Sequence, residues 1–307
     1  MERTRIQLAD GVYLTYLPAR KFKTSLLSAQ FVTPLQQETA SAYALLPAIL
    51  RRGTVRYPDL GALSARLDRL YGASVDYTVR KQGENQCVGF VASFIDDSYI
   101  PGGEQLLEPV AELLGELLCD PVTERGRFVT AYFEGEKTNL IDAIRSQVND
   151  KREYADGRLL REMCAGEAYG IPRLGDEKDA EKLSLQKLYA QYGELIASSR
   201  LELIYCGSAR QERVEQALLE ATDPSRLVTG DMPPTFLWAT AADVKVPAAN
   251  TLHMAEALLQ AGVPVETHIF EAGEHGLALA CPASAGIRRK VEPQAARWVD
   301  LCEAWLR

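Results

Sequence analysis

No histidine occurs before His253, no tryptophan before Trp238, and no tyrosine after Tyr205. The first of these absences removes imidazole chemistry from the first 252 residues, and with it the commonest metal ligand and general base. Other absences narrow the field further. No apolar run reaches the roughly 18–20 residues of a membrane span. The opening Met1-Glu2-Arg3-Thr4-Arg5 has no apolar stretch of the signal-peptide kind, so no leader is expected and a cytoplasmic location is. Lys and Arg number 34 against 42 Asp and Glu, a formal charge of −8, and no segment concentrates the basic residues as a nucleic-acid interface would. The six cysteines (87, 119, 164, 206, 281 and 302) include no Cys-x-x-Cys pair and fit reduced thiols. Nothing suggests a cofactor.

What is present is a chain of 307 residues with ordinary globular composition, 47% hydrophobic and 25% charged. The segregation of Tyr from Trp and His points to two modules. A cluster of turn residues, Thr222-Asp223-Pro224-Ser225, marks the seam, giving modules at 1–221 and 222–307. In the first, Arg5–Pro18 alternates about Gly11 like a hairpin and Ser25–Pro34 reads as a third strand. Helical spacing covers 38–51, 58–71, 104–118, 128–148, 180–198 and 210–221, with strands at 74–80, 86–95 and 201–206. Strands in antiparallel pairs followed by grouped helices predict an α+β domain, an antiparallel sheet with helices on one face. After the seam, strands at 235–241 and 265–271 alternate with helices at 248–261 and 292–306. That is a β-α-β-α unit of a parallel sheet, too short to have much core of its own.

The first module resembles the N-terminal half-unit of the insulinase (pitrilysin-type) metallopeptidases. The resemblance rests on residues 39–54, ending Ala42-Tyr43-Ala44-Leu45-Leu46-Pro47-Ala48-Ile49-Leu50-Arg51-Arg52-Gly53-Thr54. It also rests on Phe133-Glu134-Gly135-Glu136-Lys137 and on the closing strand 201–207. Active members carry His-x-x-Glu-His before a similar Gly-Thr, two zinc ligands and a general base. By that resemblance the three places fall on Ala44, Pro47 and Ala48, and the third ligand, a Glu, on Ala143. No zinc site is therefore expected, and the module is similar to the noncatalytic partner subunits of active insulinase-family proteins. A partner subunit of that family, or self-association, is the expected interaction, with neither nucleic acid nor membrane. Asp142 could serve as a displaced ligand, but a solvated helix carboxylate is the simpler reading.

The second module resembles the C-terminal end of α/β-hydrolases of the acetyl-esterase type. Pro233-Pro234-Thr235-Phe236-Leu237-Trp238 and Ala242-Asp243-Val244-Lys245-Val246-Pro247 carry the likeness. So do Ala261-Gly262-Val263-Pro264-Val265-Glu266 and Phe270-Glu271-Ala272-Gly273-Glu274-His275-Gly276. The resemblance makes Asp243 the carboxylate that orients His275, the general base. Both follow strands of a parallel sheet, at the end where open α/β sheets hold their ligands. His253 and His268 read as surface residues of a helix and a strand. No Gly-x-Ser-x-Gly occurs in the chain. Ser208, in Cys206-Gly207-Ser208-Ala209-Arg210, sits between a strand and a helix like a nucleophile elbow, but Arg210 is too large for that strained turn. The plainer reading makes Ser208 a helix cap. The sequence thus predicts a noncatalytic insulinase-like domain joined to an incomplete esterase end with an Asp–His remnant. The competing reading is a serine hydrolase whose nucleophile is Ser208 or comes from another chain.

Overall fold

Alternating apolar residues separated by turn glycines set up the first sheet. In the computed structural model, which describes residues 3–9, 11–222, 225, 228–244, 246–274, 276–277, 279–280 and 291–307, the chain divides into two units, 1–222 and 223–307. The first opens with β1 (Thr4–Ala9) and β2 (Val12–Pro18), an antiparallel hairpin whose turn residue Gly11 has φ +75°. Next come β3 (Thr24–Pro34), α1 (Gln37–Leu50) and α2 (Leu60–Arg69), the last capped by Asp59 accepting from the Ala62 amide at 2.8 Å. A second hairpin, β4 (Ser74–Gln82) and β5 (Asn85–Ile95), leads to α3 (Leu107–Cys119) and to a small ribbon, β6 (Thr123–Glu124) with β7 (Arg127–Phe128). Then follow α4 (Thr130–Ser146), α5 (Lys151–Met163), α6 (Glu177–Glu181), α7 (Leu185–Ser198), β8 (Arg200–Gly207) and α8 (Gln211–Ala221).

Two helical expectations change. The single helix over 180–198 is two, because Ser184 interrupts it and caps α7, accepting from the Lys187 amide at 3.2 Å. Helix α5 carries no expectation from sequence, since its apolar residues form no buried stripe. None of its side chains is buried, and Asp150 starts it by accepting from the amides of Arg152 and Glu153.

The sheet also departs from the antiparallel arrangement expected. Its order is β1-β2-β8-β3-β5-β4, and β8 lies parallel to β2 while antiparallel to β3. The sheet is therefore mixed. The reason is non-local: the last strand of the unit inserts between the second and third, and nothing within its own eight residues announces its partners. Register aligns Leu14, Leu203, Ala29, Phe90 and Tyr77 across the five strands from β2 to β4. The first four of these are buried in one core with residues of α1, α3, α4, α7 and α8. Helix α1 is buried along nearly its whole length, so it is the central helix of that layer.

Gly89 marks the tightest point of the sheet. Opposite it on β3, a Cβ at residue 89 would lie 2.1 Å from the Ala29 carbonyl oxygen and 2.8 Å from Gln30 Cα, both backbone atoms that cannot swing aside. Gly89→Ala should lower stability by about 3 kcal/mol, of the order seen for overpacked interiors; a urea midpoint unchanged from the parent chain would contradict this.

The second unit contains β9 (Thr235–Thr240), α9 (Ala248–Gln260), β10 (Val265–Phe270) and α10 (Trp298–Leu306), the last entered through a 3-10 turn at 295–297. The two strands pair in parallel from Val265↔Thr235 to Phe270↔Thr240. Trp238 stacks on Trp298 with centroids 5.2 Å apart, and Phe236 meets Trp305 at 5.8 Å, so α10 covers one face of this short sheet. Ala255 and Leu258 of α9 are buried, and Leu277, Ala280 and Ala295 form a small separate cluster.

Candidate functional site

Ala44 and Ala48 stand four residues apart on α1 and therefore share one face of the helix. Together with Ala143 of α4 they line a single cavity of about 390 Å³, closed on one side by Tyr77 and Val79 of β4. β4 is the end strand of its sheet, so this cavity adjoins a sheet edge. Pro47, the fourth place the resemblance singled out, is buried in α1 and does not line the cavity. It cannot donate an amide hydrogen to the preceding turn, yet the helix continues, with the Arg51 amide donating to the Pro47 carbonyl at 3.0 Å.

The cavity holds one carboxylate. Glu136 lies two helical turns before Ala143 on α4, and its Oε1 is 2.6 Å from Arg52 Nε while Oε2 accepts from Asn139 Nδ2 at 3.0 Å. Arg52 also lies over the Tyr132 ring, 5.6 Å from its centroid. Across the cavity, Arg173 Nη1 donates to the Val79 carbonyl at 3.4 Å. Asn139 and Arg173 carry no expectation from sequence, and Glu136 enters it only within the resemblance, although its seven-residue spacing from Ala143 puts both on one helix face.

This donor set does not fit zinc. A zinc hydrolase site needs three protein ligands around an open position, and the cavity offers one carboxylate already engaged by a guanidinium, an amide, and a second guanidinium. Among the described residues, no group of three or more His, Cys, Asp or Glu side chains could hold a metal ion. Asp142 is an exposed helix residue outside the cavity lining.

Ser208 occupies a different setting. Its hydroxyl donates to Asp96 Oδ1 at 2.6 Å and its amide to Asp96 Oδ2 at 3.0 Å. Ser25 and Ser98 hydroxyls and the Ser98 amide donate to the same carboxylate. Asp96 is only 2% exposed. Burial pushes its carboxyl upward, but the hydrogen bonds from Ser208, Ser98 and Ser25 outweigh that and hold it well below the usual carboxylate range. Such a carboxylate is a weak base, and the unit that holds Ser208 contains no histidine in its sequence. Nor is Ser208 a helix cap: the cap position of α8 is Arg210, without a side-chain bond. The serine instead ties the end of β8 to the end of β5.

In the second unit, Asp243 lies three residues beyond β9, where its Oδ1 accepts from the Val246 amide at 3.0 Å. Thr240 Oγ1 donates to the Gly273 carbonyl at 2.8 Å, which ties the C-terminal ends of the two strands together. His275 lies outside the described residues. His253 is exposed on α9. His268 is more than a surface residue: its Nε2 lies 2.8 Å from Glu266 Oε1, and its ring sits 5.3 Å from that of Phe236. Residues two apart on a strand share a face, which is what brings Glu266 and His268 together.

No protein-family model matches the chain. Over 208 residues, 68% of this chain, it is 31% identical to a Bacillus subtilis (strain 168) protein described as "Probable inactive metalloprotease YmfF", and the match covers 49% of that protein. The solved structure of a conserved protein from Enterococcus faecalis V583 superposes with a TM-score of 0.67 at 24% identity, covering 78% of this chain and 58% of that one. A peptidase M16 inactive domain from Pseudomonas fluorescens superposes with a TM-score of 0.56 at 15% identity, covering 78% of this chain and 56% of that one. The chain carries a domain of M16-like fold. Within this domain, α1, α4 and the end strand β4 are the elements that frame the cavity. The chain spans about half the length of the curated relative it matches. Among the described residues no helix is long and apolar enough to cross a membrane.

Proposed function

We infer that this chain works by binding rather than by hydrolysis, its M16-like domain holding an extended segment of a partner polypeptide at the edge of β4. One observation carries the reading: alanines at the three ligand places line a cavity beside the end strand of the sheet. An end strand offers backbone donors and acceptors to an added strand, the usual basis of strand-addition recognition. A subunit of an active insulinase-type peptidase, or a second copy of this chain, is the partner this reading favours. The printed description of the Bacillus subtilis relative as an inactive metalloprotease is in keeping with it.

The second unit we read as the terminal piece of an acetyl-esterase-type α/β-hydrolase. In that reading Asp243 and His275 are a triad remnant without its serine, and the parallel pairing of β9 with β10 and the tie between their C-terminal ends support it. An Asp–His pair with no activated serine and no oxyanion donors forms no acyl-enzyme.

Incubation of the purified chain with a fluorophosphonate probe tests the second half of the reading. The expected result is no stoichiometric serine labelling. Labelling that disappears in His275→Ala would establish the serine-hydrolase alternative instead. The first half is tested by quenched fluorescent peptides with added zinc: no cleavage above that of buffer is expected, and steady turnover would refute a binding role.

A further inference from the structure

Arg173 is the charged group of the cavity between α1, α4 and β4 that lacks a counter-ion. Among the described residues no carboxylate pairs with its guanidinium, whose contact is the donation from Nη1 to the Val79 carbonyl at 3.4 Å. The cavity's own carboxylate, Glu136, is already held by Arg52 and Asn139. The lining is mainly polar, and two of its neutral groups have hydrogens still to give. Thr78 Oγ1 accepts from Arg80 Nε at 3.1 Å and keeps its own hydrogen, and Asn139 has a second amide hydrogen.

The cation is also fixed at its root. Gln86, fully buried, donates from Nε2 to the Arg173 carbonyl at 2.7 Å and to the Ala40 carbonyl of α1 at 2.9 Å. Ser41 of the same helix accepts from the Asp176 amide at 3.0 Å and donates to the Asp176 carbonyl at 3.1 Å. The loop that carries Arg173 is thus pinned to α1, while the Arg173 side chain stays exposed. A guanidinium whose backbone is already ordered, and which has no internal carboxylate, can take an external one at a reduced ordering cost. Ala44, Ala48 and Ala143 leave about 390 Å³ in the same cavity, room for a short hydrocarbon tail against Leu140.

We propose that this cavity binds a small organic monocarboxylate, its carboxylate held by Arg173 and its hydrocarbon part lying against the alanines. The inference is independent of the strand-binding role, because its ligand is a free small molecule and not a polypeptide. One unpaired cation sets the class: a single carboxylate balances Arg173, whereas a second one would have no cation left in the cavity and would share it with Glu136. The charge-assisted bond should make an acid bind about 10-fold more tightly than the amide of the same shape.

Isothermal titration of the full chain would compare hexanoate and benzoate with hexanamide and benzamide. Inorganic phosphate and a short acetylated peptide with a free or an amidated C-terminus complete the series. Each would be repeated on Arg173→Gln, which keeps the backbone bond to Gln86, and on Asn139→Asp, which adds a carboxylate to the lining at an exposed helix position. The expected result is that hexanoate or benzoate binds at least about 10-fold more tightly than its amide, and that both variants reduce this preference to about twofold or less. Equal binding of acid and amide would overturn the proposal, as would a preference that survives either variant in a chain still folded by circular dichroism. Tighter binding of phosphate, or of the peptide only when its C-terminus is free, would give the cavity to another ligand and overturn it too. So would binding of neither acid at concentrations up to about 10 mM.

Discussion

A chain bearing Ala44→His, Pro47→Glu, Ala48→His and Ala143→Glu is expected to retain one zinc ion after exhaustive dialysis, where the parent chain retains none. Residues 44 and 48 lie on one face of α1 and line the same cavity as residue 143 of α4. Two imidazoles and one carboxylate there would supply three ligands and leave a fourth position for water. The expected dissociation constant is on the order of 1 μM or tighter. Metal content by atomic emission, with folding followed by circular dichroism, gives the answer. A folded variant without zinc would mean that the three positions do not converge closely enough for tetrahedral coordination, and the correspondence with the metallopeptidase ligands would fail. Removal of Pro47 would also return the missing amide hydrogen to α1, so any loss of stability in this variant would come from burying the new glutamate and from fitting an imidazole at the buried position 44.

The second large effect concerns Asp96. Asp96→Ala is expected to cost about 3 kcal/mol, because it leaves buried donors from three serines and two backbone amides without an acceptor. The Asn variant should do little better. Each carboxylate oxygen receives a backbone amide, Oδ1 that of Ser98 and Oδ2 that of Ser208, so an NH2 group at either place meets an N–H that cannot turn away. Because folding depresses the Asp96 carboxyl, the stability it supplies is fully present above the unfolded value of about 3.9 and is lost as pH falls below that toward the folded value. Urea midpoints measured between pH 7 and pH 2 should therefore fall more steeply in the parent than in Asp96→Ala. Parallel curves for the two proteins would show that Asp96 contributes nothing to acid sensitivity.

The parts of this molecule that could be read in its sequence are those governed by local period. The hairpin about Gly11, the β4–β5 pair and the buried helix α1 follow from alternation, turn residues and apolar content over short windows. The convergence of Ala44, Ala48 and Ala143 was reached through resemblance, since three alanines carry no chemical signal of their own. What escaped depends on partners distant in the chain. Insertion of β8 between β2 and β3 is fixed by packing, not by any residue of β8 alone. The bond of Ser208 to Asp96 spans 112 positions, and a serine between a strand and a helix looks the same in sequence whether it caps, attacks or anchors. Helix α5 was invisible for a different reason, having no buried side chain to impose a period.

The late position of β8 has a consequence for synthesis on the ribosome. β1–β2 and β3–β5–β4 are complete as local units long before residues 200–207 have been translated, yet they are joined in the sheet only through β8. Until that strand emerges, the nascent chain carries two separate β-elements, each with an open side at Leu14 or Leu27 that will later be sealed. Closing the gap requires pairing across nearly 200 positions, a step that is slow relative to hairpin formation. Over that interval the edges of β2 and β3 that β8 will pair with stay open to mispairing.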